Sequence, residues 1–581
     1  MPRESLWRQL VRSVLLTLLT LIVVVVLIGG AAKLYFDRAP GVEDRSWLVV
    51  DLYGPVSEYH PPGGITDRLL GDDPLTLQTI LDGLGKAALD KRIAGVIWKV
   101  SAANNAGWAM LEEMRAACGV VRAAGKPVYA WGDNFDLRTF YLASACDSVF
   151  AAPRAYIRLT GLETESLHVR NLLEKLGIKP HVSKIADYKG AAEMITETKM
   201  TEPVRENRTW ILNGIWDEVV PTLASDRGLE AAAITTLMAR AELMPDEAVA
   251  GGLIDSLLYW PDLETRLKAP ADEVLRTVDL ATYADVSWED VGRKGKETIA
   301  VVHAQGLIGG RENRVDPILG IMMGHETIAT QLRRARLDDK VKAVVFRVDS
   351  NGGEGLASDL IAREVELTAA VKPVVVSMVD VAASGGYAIA FKATRLVAAP
   401  LTITGSIGSI AAFFDLREFY AKIGVTKDFV TRGPMARFGG DYHEPTKEEW
   451  ERFQEEHWAT FNKWLDAVAE QRGMTVSDVQ RLAYGRIWTG RQAAANGLID
   501  EVGTLRDAVR LAAELAELDP ARPVKLVHLP EKKSLLDTVF GSEKTDEPVT
   551  ALLRWQLYRT LQREAALSVE ALRAAAGTVA Y

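Results

Sequence analysis

The chain repeats itself once, and that repeat constrains its architecture more than any single motif. KRIAGVIWKV (91–100) is echoed by DKVKAVVFRV (339–348), and GKPVYAW (125–131) by VKPVVVS (371–377). FAAP (150–153) returns as VAAP (397–400), EKLGI (174–178) as AKIGV (421–425), and AVAGGLID (248–255) as AAANGLID (493–500). The order is kept and the offset stays between 245 and 248 residues. A period this long marks a duplicated domain, not the unit of a solenoid. Each copy alternates runs such as LVVDLYG (48–54), AGVIWKV (94–100), TIAVVHAQG (298–306), KAVVFRV (342–348) and PVVVSMV (373–379) with longer amphipathic stretches. Val/Ile-rich strands separated by helices predict parallel β-α units, hence an α/β fold in two tandem copies. The expected boundaries are 46–285 for the first copy, a polar linker over 286–297 (VSWEDVGRKGKE), and 298–530 for the second.

Residues 13–32, SVLLTLLTLIVVVVLIGGAA, contain no charge. At about 1.5 Å per residue they span roughly 30 Å, the thickness of a bilayer's hydrocarbon core. Arg3, Arg8 and Arg12 precede them, while the flank after them is mixed in sign. This predicts a short cytoplasmic tail (1–12), a single-pass anchor (13–36), and the remainder across the membrane. A cleaved signal peptide is the rival reading, but its apolar core runs to only about 7–15 residues. The net charge of −10 argues against a general nucleic-acid binder. Cys118 and Cys146 allow at most one disulfide. The tail from 531 opens with a polar linker and continues with helical periodicity (ALLRWQLYRTLQREAALSVEALRAAA).

The second copy holds a strand that runs into Ala382-Ala383-Ser384-Gly385-Gly386. A serine at a strand-to-helix turn is exposed at its tip, and the amides after it face whatever binds there. About thirty residues earlier, Asp349-Ser350-Asn351-Gly352-Gly353 forms a second glycine turn after a strand. With Gly385, Gly352 and Gly353 are the expected oxyanion donors. Taken alone, the motif also fits a serine that merely caps a helix. The first copy reads FDLRTFYLASA at the corresponding place, with Arg138 where Ser384 falls. Chemistry is therefore expected in the second copy.

A serine hydroxyl needs a base. None of the eight histidines lies in a glycine turn or a recognisable triad pattern. The residues leave a distant histidine and a buried lysine both open. His443, Glu444 and His457 are expected on a solvated helical face, and no metal site or P-loop is readable, so no cofactor is expected.

VAASGGYAIA with TGSIGSI (404–410) behind it, KIADYKGAAE (184–193) and GRIWTGRQAAANGLIDEVG (485–503) together resemble the family of signal peptide peptidase A, or protease IV, in its long, duplicated, membrane-anchored form. The resemblance extends to about residue 530 and implies a crotonase- or Clp-protease-like fold for each copy. It implies Ser384 as nucleophile, Lys189 as general base and, more weakly, Ser406 as a hydroxyl that orients the lysine. It further implies a homotetramer on the outer face of the inner membrane, in the periplasm, that degrades released signal peptides. One departure is visible: the family's Ser-Pro-Gly-Gly turn is Ser350-Asn351-Gly352-Gly353 here. Lys189 aligns with Arg437 of the second copy, and arginine cannot serve as a base. A site shared between the copies is therefore expected, within one chain or between neighbours. The rival functions are an acyl-thioester enzyme of the crotonase type and a non-catalytic membrane scaffold.

Overall fold

The computed structural model describes residues 41–60 and 74–531. The expected anchor and most of the C-terminal tail lie outside the described residues. Among the described residues no helix is long and apolar enough to cross a membrane. The chain divides into two compact units.

The first unit holds residues 75–163 and 215–296 with the strand near the N-terminus. Its core is a parallel sheet of β1 (Ser46–Leu52), β2 (Ile93–Ser101), β3 (Val128–Asp136) and β4 (Ser148–Arg158), in spatial order β4-β3-β2-β1. Thr277–Asp279 extends it in parallel beyond β1. These strands bury apolar residues on both faces: Leu48, Val50, Val96, Trp98, Val128 and Ala130 on one, Trp47, Ile97 and Phe150 on the other. The linker segment 286–296 belongs to this unit. Val286 is buried, and the Trp288 ring fills the space that a side chain on Gly85 would need.

Among the described residues, the second unit contains 58–60, 74, 164–214 and 297–531. Its strands begin with β5 (Lys179–Lys184), outside the main sheet, and β6 (Thr298–Gln305), within it. β7 (Val341–Ser350), β8 (Val374–Ala383), β9 (Ile403–Gly405), β10 (Ile410–Asp415), β11 (Ile487–Thr489) and β12 (Lys525–Leu529) follow. The sheet order is β11-β9-β8-β7-β6-β12, parallel throughout except for the β9–β11 pair. The architecture repeats that of the first unit: β12 flanks β6 as Thr277–Asp279 flanks β1. The copies diverge after their third strand. β4 is one strand of 11 residues, whereas the second copy breaks the same path into Arg395–Ala398 and β9 around Pro400. Segment 164–214, which the repeat assigns to the first copy, packs into the second unit. β5 pairs antiparallel with β10 over six residues, from Lys179 with Asp415 to Lys184 with Ile410.

One ionic contact sits inside this second unit. Arg347 on β7 is 1 % exposed, and its Nε donates to Glu58 Oε1 at 2.7 Å, with Nη1 donating to Ser377 Oγ at 2.7 Å. A buried pair of this kind adds little net stability, but removing one partner strands a charge. Glu58→Ala should therefore destabilise the protein by about 3–5 kcal/mol in urea denaturation. Arg452→Ala, which breaks an exposed pair with Glu455, should shift it by no more than about 1 kcal/mol.

Candidate active site

β8 runs without interruption to Ala383 and delivers Ser384 to the start of a one-turn helix, Gly385–Ala388. Ser384 has φ 57° and ψ −119°, a conformation that non-glycine residues rarely hold. Its side chain makes no capping hydrogen bond, so the bland role for this serine is not the one it plays. The first copy shows the ordinary alternative. There Asp136 caps Leu137–Ala143 in an extended conformation through a capping box with Thr139, and Arg138 is exposed beside the Trp108 ring.

The glycines around Ser384 are explained by crowding. A Cβ on Gly352 would stand 2.6 Å from the Gly385 nitrogen and 2.8 Å from Ser384 Cβ. A Cβ on Gly385 would stand 3.0 Å from the Gly353 nitrogen and 2.7 Å from Ser358 Oγ, and one on Gly386 would stand 2.5 Å from the Ser350 carbonyl oxygen. The two glycine turns therefore lie backbone against backbone, with the amides of Gly353 and Gly385 close together. Gly352 (φ 100°) and Gly353 (φ 150°) also need conformations that other residues avoid. The turn that lacks the family's proline is held by Ser350 instead. Ser350 is 2 % exposed; its Oγ donates to the Gly306 carbonyl at 2.6 Å and accepts from the Gly352 amide at 3.1 Å. Ile308 N–H donates to the Gly352 carbonyl at 2.8 Å and secures the other side.

Lys189 belongs to the same unit. It is 5 % exposed, and its Nζ donates to the carbonyl and to the Oγ of Ser406, each at 2.9 Å. Ser406 follows Gly405, whose carbonyl accepts the N–H of Ser384 at 2.9 Å. Ser406 is itself held at φ 50° by donating its amide to the Arg486 carbonyl. Burial lowers the Lys189 pKa to about 7. Lys189, Ser406 and Ser384 are thus brought together through adjoining backbone within one chain. Arg437, the counterpart of Lys189 in the second copy, is engaged elsewhere. Arg437 donates to the Tyr442 carbonyl at 2.7 Å and packs over the Phe429 ring.

Sequence reasoning missed the seat of the lysine, although its residues stand in the motifs quoted above. Gly485 (φ 88°) has no room for a side chain, because a Cβ would overlap the Lys189 and Tyr188 backbone. Tyr188 N–H donates to the Tyr484 carbonyl, and Gly485 N–H to the Ile407 carbonyl. The Arg486 guanidinium lies 3.8 Å over the Tyr188 ring and donates to its hydroxyl at 2.7 Å. The solvated reading of the histidines is corrected. His457 is half-buried between Ser409 Oγ (2.6 Å) and Ser183 Oγ (2.8 Å), which joins β5 to the start of β10; His443 contacts Glu449 at 3.0 Å. Both cysteines are buried and free.

Comparison with known proteins gives this arrangement its context. The model of peptidase family S49 matches the chain twice, at residues 121–274 and 366–519. This chain belongs to peptidase family S49. It is similar to a chloroplastic serine protease SPPA of Arabidopsis thaliana, 34 % identical over 490 residues, which cover 82 % of this chain and 72 % of that one. It is also similar to protease 4 of Salmonella typhi (30 % identical, covering 92 % of this chain and 89 % of that one). Protease 4 of Haemophilus influenzae is 30 % identical, covering 75 % of this chain and 72 % of that one. The chain is a serine peptidase with two family repeats.

A buried lysine with a lowered pKa makes the fold less stable wherever the unfolded chain binds the extra proton. An unfolded lysine has a pKa of about 10.4, so between the folded and unfolded values stability should rise with pH. Lys189→Met removes this contribution. The stability difference between Lys189→Met and the unaltered protein should therefore shift against the variant as pH is raised from about 7 to about 10, read from parallel thermal melts.

Proposed function

We propose that this S49 peptidase is a membrane-anchored endopeptidase with a Ser384–Lys189 dyad that degrades signal peptides after their release. The observation that carries the proposal is the double hydrogen bond from Lys189 to Ser406. A neutral amine has two N–H donors, and Ser406 accepts both. The lone pair is then left for the Ser384 proton. Transfer of that proton accompanies attack of Oγ on a peptide carbonyl, and the lysine returns it to the leaving amine. The amides of Gly353 and Gly385 receive the developing oxyanion, with Gly352 giving the space for their approach. Water then releases the acyl group by the same steps.

The dyad is proposed to form within one chain, since the Lys189 seat and the Ser384 turn belong to one unit. The parallel sheet with a glycine turn at the end of β7 and a nucleophile turn at the end of β8 fits the crotonase- or Clp-like reading of each repeat. The uncharged segment 13–32 and its basic N-terminal flank support an inner-membrane anchor with the body in the periplasm. The tetramer is proposed from the family resemblance.

Ser384→Ala and Lys189→Ala should each lower peptidase kcat by at least about 10³-fold, and Arg437→Ala by far less. Mixing the two inactive variants under conditions of verified subunit exchange should restore nothing. Recovered activity would place the dyad between chains. The rising limb of kcat/KM should lie near pH 7, because the base works only when neutral. A limb that disappears on replacing one histidine would remove lysine from the role. Protease added to intact spheroplasts should digest the body; digestion only after lysis would overturn the orientation.

A further inference from the structure

A small hairpin grows out of the Gly352–Gly353 turn. Leu307 and Ile308 pair in parallel with Met322 and Met323, and Gly320–Met323 pairs antiparallel with Arg314–Asp316. Ile308 also bridges Gly353 in parallel. Its N–H donates to the Gly352 carbonyl at 2.8 Å, and its carbonyl accepts the Glu354 N–H at 2.9 Å. One two-residue strand thus carries the hairpin on one side and the glycine turn on the other. The hairpin is braced along its length. Asp316 Oδ1 accepts the amides of Ile318 and Leu319, each at 2.9 Å, which fixes the tip. Asn313 N–H donates to Thr327 Oγ1 at 3.1 Å, and Asn313 Oδ1 accepts the Gly324 N–H at 2.8 Å. Arg311 pairs with Glu326 at 2.6 Å.

The side chains of this arm are placed against the usual rule. Met322 and Met323, at its root, are buried. Beyond the root, Val315 and Ile321 stand directly opposite each other and are 61 % and 40 % exposed. The tip carries Ile318 and Leu319, 91 % and 57 % exposed. A single exposed apolar residue needs no explanation, but these are four of the seven residues from Val315 to Ile321, on a segment held rigid. Four side chains on a narrow arm fall well short of the roughly 800 Å² per partner that a stable protein–protein interface buries. An extended peptide fits the arm better. From Met323 to Gly320 it runs about 10 Å, at about 3.3 Å per residue, the length of roughly three peptide residues. A peptide whose carbonyl is held at the Gly353 amide begins beside the root of this arm. The core of a signal peptide is a run of about 7–15 apolar residues, and removing it from water against such a face is favourable.

We propose that Val315, Ile318, Leu319 and Ile321 form a specificity-determining arm that holds the apolar segment of a peptide substrate beside the Gly352–Gly353 turn. The inference deepens the proposed function and rests on its reading of that turn and of apolar peptides as substrates. The arm touches no reacting atom. It selects by hydrophobic contact, so it favours peptides with an apolar run within a few residues of the bond to be cut, and it does so through affinity.

The test compares the full chain carrying Ser384→Ala with the same chain carrying Ile318→Ser and Leu319→Ser in addition, both in one detergent. Two fluorescent peptides of equal length are titrated, one with a run of leucine and alanine, the other with that run replaced by serine and glutamine. The intact arm should prefer the apolar peptide, and the two tip substitutions should lower the apolar-over-polar affinity ratio about tenfold. In the chain that keeps Ser384, the same substitutions should act on the apolar peptide through KM rather than kcat. Both tip residues are exposed, so the substitutions spare the core. No preference with the intact arm, or an unchanged ratio, overturns the proposal. So does an equal loss for both peptides, which would make the tip a general support of the turn. Sedimentation velocity is read on the same samples, and a ratio that falls only together with loss of an oligomer overturns the proposal in favour of a second copy as the occupant. If the ratio falls as expected but the chain with Ser384 cleaves neither peptide, the arm stands and the proposed dyad fails.

Discussion

The candidate site depends on one desolvated amine. A lysine in water stays protonated at neutral pH and is useless as a base. Burial of Lys189 removes the hydration that favours the charged form, and no carboxylate contributes to its titration to restore it. The rest of the local structure can be read as the means of keeping that amine buried and aimed. Ser406 engages two of its positions, Gly485 lets two backbones meet, and the Arg486–Tyr188 stack closes over the adjoining residue. The unfavourable transfer of a lysine into the interior is offset by the surrounding apolar core, which includes Ile185, Ile407 and Ala483.

Duplication made this possible without loss of the fold. Both copies retain a parallel sheet buried on both faces, and both shift register near the end of the second and third strands. They part at the turn itself. The first copy closes its third strand with an ordinary capped helix, in which Asp136 and Thr139 satisfy each other. The second copy gives up that cap for a serine in a strained conformation, packed on glycines that no other residue can replace. A cap of the first kind stabilises a helix by about 1 kcal/mol. The second copy forgoes it at Ser384, whose hydroxyl is left free of a capping bond.

Much of this was legible in the residues. The strands follow the Val/Ile runs closely, since a parallel strand covered on both sides must be apolar throughout. Ser384 stood out because glycines followed it and the first copy lacked it. What could not be read was the partner of each loop. Asn351 stands where the family has proline, and the turn is held instead by the Ser350 hydroxyl, whose acceptor is 44 residues away in sequence. His457 looked solvated among glutamates, but its two serine partners lie on distant strands. Segment 164–214 bears the sequence mark of one copy and the packing of the other, a difference that periodicity does not carry.

The pairing of β5 with β10 has a consequence for the order in which the protein is made. The lysine-bearing segment is synthesised early, but its strand partner begins at residue 410 and its seat is finished only by Tyr484, Gly485 and Arg486. Until then Lys189 has no buried place, remains a hydrated cation and can take no proton. A ribosome must therefore add nearly 300 further residues after the lysine before its amine is poised. On the proposed dyad, the chain's own connectivity leaves the growing polypeptide without its base until that point.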